Sequence, residues 1–345
     1  MTLHITRNKA ILHYIVKNLV NFGSKNMTRT ALIADIGGTN ARFGIVDKDG
    51  LHDVVYLQCN KFAGPVEAAQ EYLKQISAHR RPDCGVFAVA GPITGDLVNF
   101  SSSPWSFKSS NVKADLGFQN FEVMNDFEAV ARAVPDISPE LLQPVTDAKP
   151  IQFKPKSVIG PGTGLGMASL FWSGNRYIAA PGEGGHRTMS AVCQRELDIF
   201  QQLRVKYHHI SAERVCSGKG LENLYNAIRA LDRKFHLPDL EAPEISKNAM
   251  NNSCEVCKES LDLMLAFLGR VTGDLALTMM SQGGVYIAGG IPTKLGDYFF
   301  QSRFLEEFLH KGRMSELMKS IPVYIVKHDA VGLLALEQHA KLQLG

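Results

Sequence analysis

The sequence predicts an α/β protein of two related lobes. Three observations carry this prediction. Strand-like apolar runs alternate with helical patterns, a Gly-rich turn between two such runs occurs twice, and 345 residues suffice for two cores. The first copy is the apolar run 31–36 with Asp35 near its end, then Gly37-Gly38-Thr39-Asn40, then a second apolar run at 43–46. Two glycines permit a tight turn and let main-chain N–H groups approach an anion unobstructed. Thr39 and Asn40 add short donors on the same rim. A carboxylate such as Asp35 beside a phosphate cradle calls for a divalent cation between the like charges. An ordinary β-hairpin closed by Gly-Gly accounts for this copy equally well when it is taken alone.

The second copy shifts the balance. Val158-Ile159-Gly160-Pro161-Gly162-Thr163-Gly164-Leu165-Gly166-Met167-Ala168 repeats the scheme of apolar run, Gly/Thr turn and apolar run. Neither turn is a Walker loop, because no Lys-Ser/Thr follows the glycines and no helical pattern follows the turn. Two strand–turn–strand phosphate loops in one chain point to two halves holding one nucleotide.

Composition is that of an ordinary globular protein, 45% hydrophobic and 21% charged. Of the formal charge of +3, four positive charges (Arg7, Lys9, Lys17 and Lys25) fall in the first 26 residues with no acid among them. The remainder is close to neutral, which gives no electrostatic footprint for nucleic acid. The apolar run at 11–20 is interrupted by Lys17 and too short to span a bilayer. It lacks a secretory cleavage pattern, and its basic, acid-free character is a faint transit-peptide signal. The reading preferred for residues 1–27 is an N-terminal extension. No other segment has the length of a membrane helix, so no membrane partner is expected. Six scattered cysteines suit a reducing compartment, hence a cytoplasmic location. Cys254 and Cys257, a lone C-x-x-C, read as one face of a helix start ahead of a zinc site.

Along the chain, strands are expected at 54–58, 84–90, 97–100 and 121–124, with helices at 65–78, where Pro stands at the start, and from 125 to 133. The Pro-rich stretch 135–155 suits a crossover between lobes. After the second turn come strands at 169–172 and 176–180, then helices at 194–206, 221–231 and 257–280. A strand at 285–288 closes on Gly289-Gly290, and a strand at 323–326 and a helix at 330–342 finish the chain.

Asn125-Asp126 sits where a strand hands over to a helix, a place where ligands collect in α/β folds. One of the pair suits an N-cap, which leaves the other unexplained. Asp126 can accept a proton from a substrate hydroxyl while Asn125 grips a neighbouring one, as phosphoryl transfer to an alcohol requires. Glu183 and His186 lie on the glycine-studded loop Pro181-Gly182-Glu183-Gly184-Gly185-His186, with Glu213 farther on. A metal set is one reading, but the loop lacks the helical geometry of H-E-x-x-H sites. Vicinal diols of a sugar suit the same groups better, since each hydroxyl can donate to a carboxylate and accept from the imidazole. Alternatives that need no ligand are a helix N-terminal charge for Glu213 and a supporting role for His186.

Seven stretches, LIADIGGTNARFG (32–44), GPITGD (91–96), NDF (125–127), GPGTGLG (160–166), PGEGGH (181–186), SAERVCSGKG (211–220) and GGVYIAGGI (283–291), together resemble the bacterial glucokinase family. The resemblance runs in order from about residue 30 to near the C-terminus. It implies the actin-like (ribonuclease H-like), hexokinase-type two-lobed ATPase fold, with the active site in the cleft. The small α/β lobe would be 28–136 plus 327–345 and the large lobe 137–326. It also implies phosphorylation of the glucose 6-hydroxyl by ATP with Mg²⁺, and commonly a homodimer. Carried over residue by residue, the catalytic base falls on Asp126, and the glucose-binding residues on Asn125, Asp126, Glu183, His186 and Glu213. The ATP site falls on Asp35, Gly37, Gly38, Thr39, Asn40, Gly162, Thr163 and Gly164, with Asp35 near the metal and the adenosine end near Gly289 and Gly290.

Related sugar kinases of the ROK group often carry a Cys-rich zinc motif after the sugar-binding His; here Arg187-Thr188-Met189-Ser190 follows, so structural zinc is not expected. Two positions depart from the family pattern: Ser102 stands in the loop where relatives carry Thr-Asn before the Trp, and Lys219 replaces a common Pro. Three rival readings are a kinase for another hexose, a sugar-sensing regulator and a filament-forming ATPase. The second needs a helix-turn-helix domain that 26 residues cannot supply, and the third leaves Glu183, His186 and Glu213 without a task.

Overall fold

The computed structural model describes residues 29–77, 81–100, 105–327 and 331–344. The N-terminal extension to residue 27, the loop with Ser102, and the expected helix ends at Ala78 and Ala330 lie outside the described residues.

Two sheets share one plan. In the first, β1 (Ala31–Ile36), β2 (Asn40–Asp47) and β3 (Gly50–Gln58) form an antiparallel meander. β4 (Cys84–Val89) then pairs parallel with β1. A separate ribbon of β5 (Leu97–Asn99) and β6 (Ser106–Lys108) follows, and β7 (Asn120–Asn125) pairs parallel with β4, giving the order β3-β2-β1-β4-β7. The second sheet comprises β8 (Leu142–Pro144), β9 (Lys156–Pro161), β10 (Leu165–Trp172), β11 (Tyr177–Gly182), β12 (Val285–Ile287) and β13 (Val323–Val326). Its order is β11-β10-β9-β12-β13-β8. The first five positions repeat the first sheet: an antiparallel meander, then two parallel strands. β8 is an added antiparallel edge.

The continuous apolar runs are the strands covered on both faces, as a central parallel strand requires. β4 is buried at all six positions, and β1 at all but Asp35. One face of the first sheet takes α1 (Pro65–Lys74) and α2 (Ser109–Asp115), where Ala68, Ala69 and Tyr72 pack with Phe43, Phe87 and Val89. α3 (Asp126–Ala133) starts as β7 ends and lies between the two sheets. Its Ala129 and Ala133 join Ala31 and Ile33 of the first lobe, while Val130 and Ala131 join Val158, Ala168 and Leu170 of the second.

Between β11 and β12 the chain inserts α4 (Gln194–Arg204), α5 (Gly218–Leu231), α6 (Ala242–Met250) and α7 (Glu255–Met279). Cys254 caps α7, its sulfur accepting from the Cys257 amide at 3.3 Å. Between β12 and β13 come the short α8 (Gly290–Leu295), α9 (Asp297–Gln301), α10 (Phe304–Leu309) and α11 (Ser315–Lys319). Arg270 on α7 is buried between Glu196, at 3.0 Å, and Glu307, at 3.0 Å. Finally α12 (Val331–Leu344) returns to the first sheet, packing Leu333, Ala335 and Leu336 with Ala31, Ile33, Val86 and Ala88.

Several elements differ from the sequence-based expectation. The stretch 135–155 contains β8, and β6, α2, α6 and the series α8–α11 were not anticipated. The three-residue strands and the helices of five to seven residues are too short for periodicity to register, and α6, of nine residues, buries only Ile245 and Ala249 of its hydrophobic positions.

Candidate active site

Both Gly-rich turns close β-hairpins. In the first, the Gly37 amide donates to the Asn40 carbonyl at 3.0 Å, and Thr39 and Asn40 are exposed. Asp35 is the one half-buried position of β1, and the register sets it opposite Arg42, whose Nη1 lies 2.9 Å from Asp35 Oδ2. Burial pushes the Asp35 carboxyl above its ordinary range, with Arg42 opposing. Gly332, at the start of α12, also abuts this carboxylate; a Cβ there would lie 3.0 Å from Oδ2.

In the second turn the Gly162 amide donates to the Gly164 carbonyl at 2.9 Å. Two further segments meet it. The Gly218 amide donates to the Gly162 carbonyl at 2.8 Å, and a Cβ on Gly289 would come within 2.8 Å of the Pro161 carbonyl. Gly289 has φ 101°, a conformation that suits glycine. Gly290 then opens α8. Lys219, next to Gly218, pairs with Glu222 one turn along α5.

The loop after β11 sits against the start of β10. A Cβ on Gly185 would meet the Leu165 carbonyl at 2.0 Å, so only glycine fits there. From this point two segments zip together: the Glu213 amide donates to the Gly185 carbonyl, and the Ala212 amide to the Arg187 carbonyl, both at 2.9 Å. Glu213 is thereby carried beside the second turn, where its Oε2 accepts from the Leu165 amide at 3.0 Å. Glu183 and His186 share the loop, Oε2 to Nε2 3.7 Å, with both side chains about half exposed at 50% and 52%. Two acids and an imidazole thus stand on segments packed against the Gly162–Gly164 turn and the start of β10.

Asn125 and Asp126 open α3. Asn125 caps the helix, its Oδ1 accepting from the Phe127 and Glu128 amides at 2.9 and 3.1 Å, while Nδ2 donates to the Gly91 carbonyl at 3.1 Å. That leaves one amide hydrogen of Asn125 for another partner. Asp126 is the common neighbour of the two lobes. Burial, then the Asp35 carboxylate, then that of Glu183 push its carboxyl up to about 7, against the Phe127 amide, which donates to Oδ1 at 2.9 Å. The arrangement therefore joins Asp35 of the first lobe, Asp126 and Glu183 of the second lobe electrostatically, and ties Glu213 and His186 to Glu183 through the backbone.

Three participants were missed from the sequence. Arg42 pairs with Asp35 only once the hairpin register is set. Gly185 matters through a close backbone approach. Phe127 projects against Gly160 and Gly166. The alternation of glycine at 160, 162, 164 and 166 was visible, and in a hairpin it strips side chains from one face.

A duplicated sheet plan with two hairpin turns and acids between them is that of the actin-like ATPase fold, in the two-lobed form of hexokinase-type sugar kinases. A ROK family glucokinase from Streptomyces griseus, solved in complex with glucose and AMPPNP, shares this fold with a TM-score of 0.64 at 18% identity, covering 91% of this chain and 99% of that one. Residues 32–343 match the family described as glucokinase. The glucokinase of Nitrobacter hamburgensis is 39% identical over 312 residues, 90% of this chain and 97% of that protein. The crystal structure of a glucokinase from an Antarctic psychrotroph superposes with a TM-score of 0.75 at 33% identity, covering 90% of this chain and 99% of that one. The chain belongs to the glucokinase family.

Proposed function

We propose that this enzyme transfers the γ-phosphoryl group of ATP to the 6-hydroxyl of D-glucose, yielding glucose 6-phosphate and ADP, with Asp126 as the general base. The observation that carries the reading is the position of Asp126. It lies at the start of α3, where burial and the carboxylates of Asp35 and Glu183 raise its carboxyl to about 7. A carboxyl near 7 is matched to taking a proton at neutral pH. The complex of the Streptomyces griseus glucokinase with glucose and AMPPNP supports the choice of both substrates.

In this reading Glu183, His186, Glu213 and the remaining Asn125 amide hydrogen hold the sugar hydroxyls and turn the 6-hydroxyl toward Asp126. The turns Gly37–Asn40 and Gly162–Gly164 hold the phosphates through backbone N–H groups, and Gly289 and Gly290 face the adenosine end. Among the described residues no cluster of three or more His, Cys, Asp or Glu side chains is arranged to hold a metal alone. Asp35 is a hard oxygen donor beside a phosphate turn, and Mg²⁺ takes one or two carboxylates together with phosphate oxygens, so the donor set fits a cation that arrives with the nucleotide. Such a cation would offset phosphate charge, with Asp35 as its protein ligand.

The residues of this chain supply placement and proton acceptance. The 6-hydroxyl oxygen attacks the γ-phosphorus, the bond to the ADP oxygen breaks in line, and Asp126 takes the hydroxyl proton. Approach of the lobes excludes water, a competing acceptor. No helix among the described residues is long and apolar enough to cross a membrane, and all six cysteines are free thiols. Free thiols support a cytoplasmic location, and the family resemblance supports a homodimer.

The test is Asp126→Asn. It should bind glucose with near wild-type affinity by titration calorimetry while turnover falls by roughly 10²- to 10⁴-fold. Turnover near the wild-type rate would overturn the assignment of the base. A panel of glucose, mannose and fructose with ATP separates this reading from a kinase for another hexose.

A further inference from the structure

Gly160 and Gly166 are partners in the β9–β10 ladder, facing each other across the hairpin that ends in the Gly162–Gly164 turn. Both face the ring of Phe127. A Cβ on Gly166 would fall 1.8 Å from Phe127 Cδ2 and 2.0 Å from Cε2, and one on Gly160 would fall 2.4 Å from Cζ. The ring therefore occupies a slot that exists because two opposed strand positions lack side chains. Phe127 directly follows Asp126 on α3, so one residue separates the slot from the acid.

We infer that Phe127 is a positioning residue: by keying into the Gly160–Gly166 slot it fixes the distance between Asp126 and the Gly162–Gly164 turn. The inference rests on Asp126 acting as the base. Asn125 caps the helix start and ties it to the Gly91 carbonyl of the first lobe, while the hydrophobic contacts of α3 beyond Phe127 lie farther along, where Ala129 and Ala133 face the first lobe and Val130 and Ala131 the second. These set the helix as a body between the lobes. Phe127 holds its first turn, the part that carries the acid, against the second lobe. Phosphoryl transfer leaves the protein little covalent chemistry, so the alignment of acceptor, phosphorus and base decides the rate. A misplacement of about 1 Å can cost on the order of a hundredfold. The slot is also selective in an unusual direction, because adding one methyl group to Gly166 strikes the ring and nothing nearer. At Gly160 the added methyl would also meet the Ala288 carbonyl at 2.7 Å, so Gly166 is the cleaner probe.

The test is steady-state kinetics of the full chain with glucose and ATP, well below the unfolding temperature, for Phe127→Leu, Phe127→Ala, Gly166→Ala and the double variant Phe127→Ala/Gly166→Ala. Phe127→Ala and Gly166→Ala should each lower kcat by roughly tenfold to a hundredfold while KM for glucose stays within about twofold. Phe127→Leu should fall between wild type and Phe127→Ala. The double variant should match Phe127→Ala within about twofold, because the ring that the new methyl would strike is gone. Wild-type kcat in folded Phe127→Ala, a loss confined to KM, or an additive double variant would each overturn the inference. Should Phe127→Ala fail to fold, Phe127→Leu and Gly166→Ala decide by the same kcat and KM criteria. Asp126→Asn, measured alongside, separates the two readings. Full turnover there overturns the base and the positioning together, whereas unaffected Phe127 variants beside an inactive Asp126→Asn overturn the positioning alone.

Discussion

Glu213 Oε2 accepts a hydrogen bond from the Leu165 amide at 3.0 Å, and Gly164 makes room for it, since a Cβ there would lie 2.5 Å from the same oxygen. A carboxylate proposed to face the sugar is thus braced on the turn proposed to face the phosphates. One contact couples the two halves of the proposed substrate site.

This contact predicts that Gly164→Ala imitates Glu213→Ala. Each should raise KM for glucose by roughly tenfold or more, the cost of losing or displacing one charged hydrogen-bonding group. Gly164→Ala should in addition raise KM for ATP, because its methyl group sits in the turn itself. Steady-state kinetics with each substrate varied in turn decides the matter. Unchanged KM values for Gly164→Ala would show that the brace has no part in binding.

The raised carboxyl of Asp126 predicts two pH dependences. The base must be ionised, so kcat/KM should fall as pH drops through about 7. Stability runs the other way. A carboxyl whose pKa is raised on folding contributes most below its unfolded value, near 4, and that contribution is lost as pH rises through about 7. At pH 8 the ionised, half-buried Asp126 therefore costs on the order of a few kcal/mol. Asp126→Asn should melt several degrees above wild type at pH 8, with the gap narrowing toward pH 4. Thermal scans of the ligand-free protein at both pH values check the sign. A gap that widens on acidification would mean the carboxyl is not raised.

Arg270 carries a third prediction. It is 8% exposed, with Glu196 at 1% and Glu307 at 4%, so the three ions satisfy one another away from water. Glu196 also accepts from the Val192 amide at 2.8 Å, and Arg270 donates to the Ser190 carbonyl at 3.3 Å, which pins the segment just after His186. Arg270→Met leaves both acids facing each other, with Arg303 still on Glu307 at 2.7 Å. Removing one partner from a buried ionic group costs roughly 3–5 kcal/mol. Urea unfolding of Arg270→Met against wild type measures it, and equal midpoints would refute it.

The sequence was legible where one local rule acts on a long enough stretch. Strands β1 and β4 could be found because both faces are covered and the apolar run is unbroken. Asn125 was open to two readings, cap or ligand, and the structure shows the cap, with an amide hydrogen to spare. What escaped was short or relational. β8 has three residues inside a Pro-rich crossover, and α8 to α11 are five or six residues each. Arg42 meets Asp35 because the hairpin register sets them opposite each other. Phe127 acquires meaning when α3 is laid against β9 and β10, a contact that neither segment encodes by itself.

The return of α12 to the first sheet has a consequence for how the chain is made. Ala31, Ile33, Val86 and Ala88 emerge early in synthesis, yet the residues that cover them, Leu333, Ala335 and Leu336, are translated some 250 to 300 positions later. Throughout that interval the nascent first lobe presents a bare apolar flank, a surface open to misassembly until the helix that covers it arrives.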